Sequence, residues 1–356
     1  MRNKKADRKK RIRLIVGITA VVLAAVLVSG FLILRNTRVV LTTGFERNEL
    51  FVIGKTSATT EEWNIYMVNT ANQYADAYGE DILYRKMNGT TLQRNIMEMS
   101  LARLTKIKIM NLLAAEYDVV LTPGEQNLAA VAAEAYYATL TSEEIAVLGV
   151  DEAMLAGMYR EYALAEKAYD SIIEDIMPEI SDDEARIVTV SQILFKTYYY
   201  DAKGVKQRYG MNARIDIHKR ALGVRDRLQA GESFELLATE FNEAAETTIL
   251  LGKGEKDIAY EEAAFRLGNG EISDIVETED GYVILKCISA YDREETDANK
   301  MEILDEYKRK GFDEIYERFA RGLDKKMNDR LWNSLTPEQS GTVTTKDFWR
   351  IYEEFF

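Results

Sequence analysis

Two residue types much used in catalysis and metal binding are scarce in this chain. It has one histidine, His218, and one cysteine, Cys287. A single histidine excludes any paired-histidine constellation, and a single cysteine excludes an internal disulfide or a cysteine-based metal site. His218 falls on an expected helix with no second ligand near it and reads as a solvated surface residue. Cys287 falls in an expected strand and reads as a small buried apolar side chain. Gly252 and Gly254 lack the following Gly-Lys-Ser/Thr of a phosphate-binding loop. The pairs Glu261/Glu262 and Glu353/Glu354 read as helix-surface charge. Tyr198-Tyr199-Tyr200 reads as loop aromatics folded over a sheet, with contact to a bound chain as the alternative. No cofactor or metal is implied.

Charge narrows the partners. The 356-residue chain carries a net charge of -13, but residues 1–13 hold eight Lys/Arg and one Asp. That leaves an acidic body of about -20, which argues against nucleic-acid binding. Leu14–Leu34 is uncharged and almost wholly apolar. At about 1.5 Å per residue it spans roughly 31 Å, near the thickness of a bilayer core. The basic flank predicts a cytoplasmic amino terminus and an extracytoplasmic body. Val28-Ser29-Gly30 would suit signal-peptide cleavage. The apolar run continues through Phe31-Leu32-Ile33-Leu34, which favours an uncleaved transmembrane anchor.

Behind the anchor, Glu49–Lys55 reads as a short strand and turn. Thr59 or Thr60 caps a helix to about Tyr78, ended by Gly79. A second helix covers about Thr91–Tyr117. Thr122-Pro123-Gly124-Glu125 opens a third with cap, N1 proline and N3 glutamate. Ser142–Leu148 is a short helix. Asp151 caps a helix whose apolar stripe is Leu155, Met158, Tyr162, Ala165, Tyr169, Ile172 and Ile176, before Pro178. Its heptad spacing is read as intramolecular packing, not as a coiled coil.

Ile187–Phe195 suits a strand. A tyrosine- and lysine-rich loop follows to Tyr209, then helix Ile215–Ala230 and a helix capped by Ser233. Glu261–Leu267 is a third short helix. Strands Ile275–Thr278 and Tyr282–Ile288 join through Glu279-Asp280-Gly281, a hairpin signal. Asn299–Asn333 is helical, and Asp347 caps Phe348–Phe356, whose aromatic face needs a cover. Docking on the chain's own helices is the expectation; a membrane or protein partner is the alternative.

Three stretches carry a resemblance to the parvulin-type peptidyl-prolyl isomerases (rotamases). Leu228–Ala238 matches L-x-x-G-x-x-F-x-x-L-A, Ala263–Ser273 matches A-x-F-x-L-x-x-G-E-I-S, and Val276–Leu285 matches V-x-T-x-x-G-Y-H-I-I. Ile53–Glu62 and Leu121–Glu125 resemble the helix starts of SurA- and PrsA-like chaperone domains. The resemblance implies an α+β fold: a mainly helical SurA/PrsA-like chaperone domain with an inserted parvulin-like domain, a small antiparallel sheet flanked by helices, plus one N-terminal transmembrane helix. The segments are then a cytoplasmic basic stretch 1–13, an anchor 14–34, a helical domain 45–180, the parvulin-like domain 187–291, and helices 298–356 returning to the chaperone domain.

It also implies a catalytic set that this chain lacks. Parvulins use two histidines, a Cys or Asp, and an apolar Met/Phe pair. The histidine positions are Gln192 and Val283. The Cys/Asp position aligns with Ala244, the phenylalanine with Tyr260 and the methionine with Lys256, across a glycine-rich link replaced by the shorter Ile249–Gly254. The implied protein is an anchored extracytoplasmic foldase and chaperone for unfolded or proline-containing exported polypeptides, its isomerase activity weak or lost. An anchored scaffold for one partner and an active isomerase are the alternatives.

Overall fold

The computed structural model describes residues 44–87, 89–336 and 342–356. The expected anchor at 14–34 lies outside them. Among the described residues, no helix is long and apolar enough to cross a membrane. The chain divides into two compact units: the residues up to Ile176 together with Gly311–Phe356, and Met177–Lys310.

The first unit opens with a hairpin, β1 (Glu49–Ile53) and β2 (Thr56–Thr59), turning at Gly54 with φ +55. Helix α1 (Thr60–Tyr78) starts in a capping box in which Thr59 and Glu62 satisfy each other's backbone amides. A small hairpin, β3 (Lys86–Met87) and β4 (Thr90–Thr91), leads into α2 (Leu92–Glu116). Helices α3 (Pro123–Thr139) and α4 (Ser142–Leu148) start with further capping boxes, Thr122/Glu125 and Thr141/Glu144. Asp151 caps α5 (Glu152–Glu174). The stripe on α5 packs inward as its spacing predicts: Leu155, Met158, Ala165 and Ile172 are buried, with Tyr162, Tyr169 and Ile176 against the same core.

The second unit starts with a short helix α6 (Asp182–Ala185) and then β5 (Val188–Lys196). The stretch expected as a loop contains its own hairpin, β6 (Tyr198–Tyr200) with β7 (Lys206–Arg208). Tyr199 and Tyr200 stay exposed instead of folding over the sheet. Helix α7 (Met211–Gln229) begins four residues before the expected start, with Gly210 at its N-cap. Next come α8 (Phe234–Phe241), β8 (Thr248–Leu251), α9 (Ile258–Arg266), β9 (Val276–Glu277) and β10 (Gly281–Ser289). The sheet order is β8-β5-β10-β9, all antiparallel. Side chains alternate across β5 and β10. One face buries Ile193, Phe195 and Ile284 under α7 and α8; the other buries Val190, Leu194, Val283 and Leu285 under α9. His218 is half-buried, its ring 4.7 Å from that of Tyr282, so it packs on the sheet and is not freely solvated.

Helix α10 (Arg293–Arg321) ends well before the expected Asn333. Gly322 stops it, and β11 (Lys325–Met327) then adds a third strand to the first hairpin, pairing Phe51 with Met327. Helix α11 (Asp329–Ser334) and the terminal helix α12 (Phe348–Phe355) close the first unit. The aromatic face of α12 is covered by the chain's own helices: Phe348 is fully buried against Tyr66, Tyr136 and Tyr159.

Candidate functional site

Period-two alternation along β5 places the Gln192 side chain on the α9 face, between Val190 and Leu194. The register sets Leu285 opposite Gln192 and Val283 opposite Leu194, so Gln192 and Val283 are diagonal neighbours on that face. Tyr260 enters from the first turn of α9, which Asp257 caps by accepting the Tyr260 amide at 3.1 Å. The Tyr260 hydroxyl donates to Gln192 Oε1 at 3.1 Å, and Gln192 Nε2 donates to the Glu246 carbonyl at 2.9 Å. Burial, and then the Asp257 carboxylate, push the Tyr260 hydroxyl well above its ordinary pKa, so it stays a neutral donor.

Four of the five positions taken from the resemblance therefore meet. Gln192, Tyr260 and Val283 share the α9 face, and Ala244 packs half-buried at its margin. Lys256 is exposed, its ammonium 5.9 Å from the Tyr260 ring centroid, at the outer limit of a cation–π contact. Gln192 is 7% exposed, Tyr260 4% and Val283 0%. All three are packed into the core of that face. The one ionisable group among the buried three is a phenol held neutral, and its hydrogen bond is already satisfied by Gln192. The Tyr260 hydroxyl is engaged by Gln192, and Gln192 Nε2 gives one of its two N–H groups to the Glu246 carbonyl.

The residues that complete this arrangement carry little signal in the sequence. Asn242, just past α8, accepts the Leu194 amide at 3.0 Å through Oδ1 and so ties the loop before β8 to β5. An asparagine in a turn is the only trace of that role. The residues of the G-E-I-S motif prove to be structural. Ser273 Oγ accepts the Leu285 amide at 2.9 Å, and Gly270 N donates to the Cys287 carbonyl at 2.8 Å, so the G-E-I-S stretch runs as a substitute strand beside β10.

The helical unit has a cleft of its own, about 430 Å³, walled by Asn48, Thr59, Glu61, Glu62, Met158 and Glu161 among others. Beneath it lies Lys108, 3% exposed, with Nζ 2.6 Å from Glu62 and 2.8 Å from Glu161. Burial alone would lower the Lys108 pKa, but the two carboxylates outweigh it and hold the ammonium above its usual value. Among the described residues, no cluster of three or more His, Cys, Asp or Glu is placed to hold a metal ion.

Residues 204–289 match the family model described as Rotamase: PPIC-type PPIASE domain. The match begins beyond β5, so it covers the Val283, Tyr260, Ala244 and Lys256 positions but not Gln192. The foldase protein PrsA 3 of Bacillus cereus is 26% identical over 193 residues, 51% of this chain and 62% of the relative. Its counterpart in Bacillus anthracis is 25% identical over 198 residues, 52% of this chain and 64% of the relative. The matched part thus spans less than two thirds of either relative. The crystal structure of peptidylprolyl isomerase (PrsA) from Bacillus cereus is 18% identical, covering 87% of this chain and 99% of that one, with a TM-score of 0.34. The second unit thus contains a parvulin-type domain. The chain is similar to the SurA/PrsA-like peptidyl-prolyl isomerases.

Proposed function

We propose that this protein is a membrane-anchored foldase that holds unfolded exported polypeptides, and that its parvulin-type domain has kept the fold and lost most of the catalysis. One observation carries the second half: Gln192, Tyr260 and Val283 are packed as core, with the Tyr260 hydroxyl spent on Gln192. Rotation about an X-Pro bond faces a barrier of about 18–20 kcal/mol. Lowering it needs an apolar seat for the ring and a donor aimed at the twisted amide, and here the Tyr260 ring is itself buried and its hydroxyl is engaged by Gln192. Anchoring would come from residues 14–34, with the basic segment 1–13 cytoplasmic and the body outside. The helical unit from about residue 45 would hold clients, and the acidic body would select against nucleic acid. The rival, a scaffold for one partner, would need an outward aromatic patch on the tail, and Phe348, Ile351 and Tyr352 face inward.

The test uses the body from residue 37 onward in an NMR exchange assay of X-Pro isomerisation, beside an aggregation assay with an unfolded client. No acceleration together with suppressed aggregation is expected. Acceleration that persists in Gln192→Ala and vanishes in Tyr260→Ala would refute the loss of catalysis. Absence of both activities would refute the foldase reading.

A further inference from the structure

The stretch Val343–Phe348 is held in an unusual way. In most folded chains about two thirds of hydrogen bonds join backbone to backbone. Here the backbone of an extended segment is read by side chains from other elements. Asn72 Nδ2 donates to the carbonyls of Val343 (2.8 Å) and Thr345 (2.9 Å), and Gln73 Nε2 donates to that of Lys346 (2.9 Å). Glu144 Oε1 accepts the amides of Thr344 (2.8 Å) and Thr345 (3.2 Å). Asn69 Oδ1 accepts the Phe348 amide (3.0 Å), and the Tyr159 hydroxyl donates to the Phe348 carbonyl (2.8 Å).

Backbone groups are common to every polypeptide, so this reading is indifferent to most of the sequence it holds. Sequence enters at three points. Val343 and Thr345 point inward with Thr344 outward, a strand-like alternation that suits small or β-branched residues. Phe348 is the anchor, stacked on Tyr159 at 4.4 Å and edge-on to Tyr136 at 5.2 Å.

We infer that the face formed by α1, α3, α4 and α5 is a peptide-binding groove occupied in cis by the chain's own tail. Its ligand class is an extended peptide with small or β-branched residues followed by an aromatic anchor, supplied by a client chain when the tail leaves. Only that last clause rests on the foldase reading; the groove stands without it. The tail is also an imperfect occupant. Trp349 Nε1 is buried with no hydrogen-bond partner among the described residues. A peptide with phenylalanine there keeps an aromatic contact and removes the orphaned donor.

The experiment keeps the chain intact through folding. A site-specific protease sequence placed between Thr336 and Thr342 is cut afterwards, leaving the tail bound without a covalent link. A dye-labelled synthetic peptide of residues 342–356 is then added and followed by fluorescence anisotropy, with helical circular dichroism recorded in parallel. The labelled peptide is expected to replace the cut tail while helicity is kept, and to bind the uncut chain far more weakly. A Phe348→Ala peptide is expected to lose about 30-fold or more in affinity, and a Trp349→Phe peptide to gain several-fold. An unfolded client is expected to displace the labelled peptide from the cut chain. Absence of exchange, or loss of helicity as the tail leaves, would overturn the groove and make the tail a permanent part of the core. Exchange of the peptide without competition by the client would overturn the client as occupant. The foldase reading is judged separately, by aggregation suppression in the uncut chain.

Discussion

Gly281 and Tyr260 lie in the same unit and answer to different demands. Gly281 opens β10 with φ +146, and a Cβ there would sit 2.0 Å from the Phe195 carbonyl oxygen and 2.9 Å from the Thr197 amide. Both obstacles are backbone, so neither can move aside. Gly281→Ala is expected to cost about 4 kcal/mol or more, read as a lowered urea midpoint of the parvulin-type unit; an unchanged midpoint would contradict the close approach. Tyr260→Phe removes only a hydroxyl. It leaves Gln192 Oε1 buried without its donor, and the expected cost is about 1–3 kcal/mol in the same titration. Isomerisation should not change, since the hydroxyl is engaged by Gln192 and not by substrate; a fall in rate would show that it acts on the peptide.

At the scale of elements, caps were the most legible feature. Thr59/Glu62, Thr122/Glu125 and Asp151 mark helix starts because a cap is a local hydrogen bond between near neighbours. The Asp280-Gly281 turn was legible for the same reason. Strands that exist through distant partners were not. Thr248–Leu251 becomes β8 only because β5 lies beside it, and Lys325–Met327 becomes β11 only because Phe51 and its neighbours offer an edge. Candidate positions followed the same divide. The expected strands hold Gln192 and Val283, and Tyr260 falls just before the expected third helix, but the Tyr260–Gln192 hydrogen bond spans 68 residues and has no local trace.

Glu144 shows an element held by one charged group. It is 4% exposed; one oxygen accepts the Thr141 amide at the α4 cap, and the other accepts the Thr344 and Thr345 amides of the tail. Burial alone would raise its pKa, but the bonds from Thr141 and Thr344 prevail and hold it below the ordinary carboxyl value of 4.5. A depressed carboxyl pKa contributes stability that is present above the unfolded value and is lost as pH falls through the folded one. Tail docking should therefore weaken below about pH 4.5, read as faster proteolysis after residue 342. Glu144→Gln presents an amide donor to donors, and should cost about 2–3 kcal/mol at pH 7. Its tail docking should lose most of the pH dependence. A variant as pH-sensitive as the parent would place the titrating group elsewhere.

At the scale of the molecule, the two units have cores that share no residue: one built on α1 to α5 with the carboxy-terminal segment, the other on the two faces of the four-stranded sheet. Separate cores predict separate cooperative transitions, so a single unfolding free energy would be ill-defined for this chain. Two substitutions assign the transitions. Gly281→Ala should move only the one belonging to the parvulin-type unit. Lys108→Met should move only the other, because it strips the partly buried Glu62 and Glu161 carboxylates of their shared cation. Leaving a fully buried charge unpaired costs about 3–5 kcal/mol, and because these carboxylates are 12% and 30% exposed the penalty should fall below that range. Burial already raises the Glu161 pKa against the pull of Lys108, so without the ammonium that carboxyl takes up a proton more readily. The Lys108→Met penalty should then shrink as the pH is lowered from 7 toward 5, a direction opposite to that of the Glu144 contact. Differential scanning calorimetry at the two pH values tests both points. A single transition that either substitution shifts would mean that the cores unfold as one, and a pH-independent penalty would mean that Lys108 contributes by packing and not by charge.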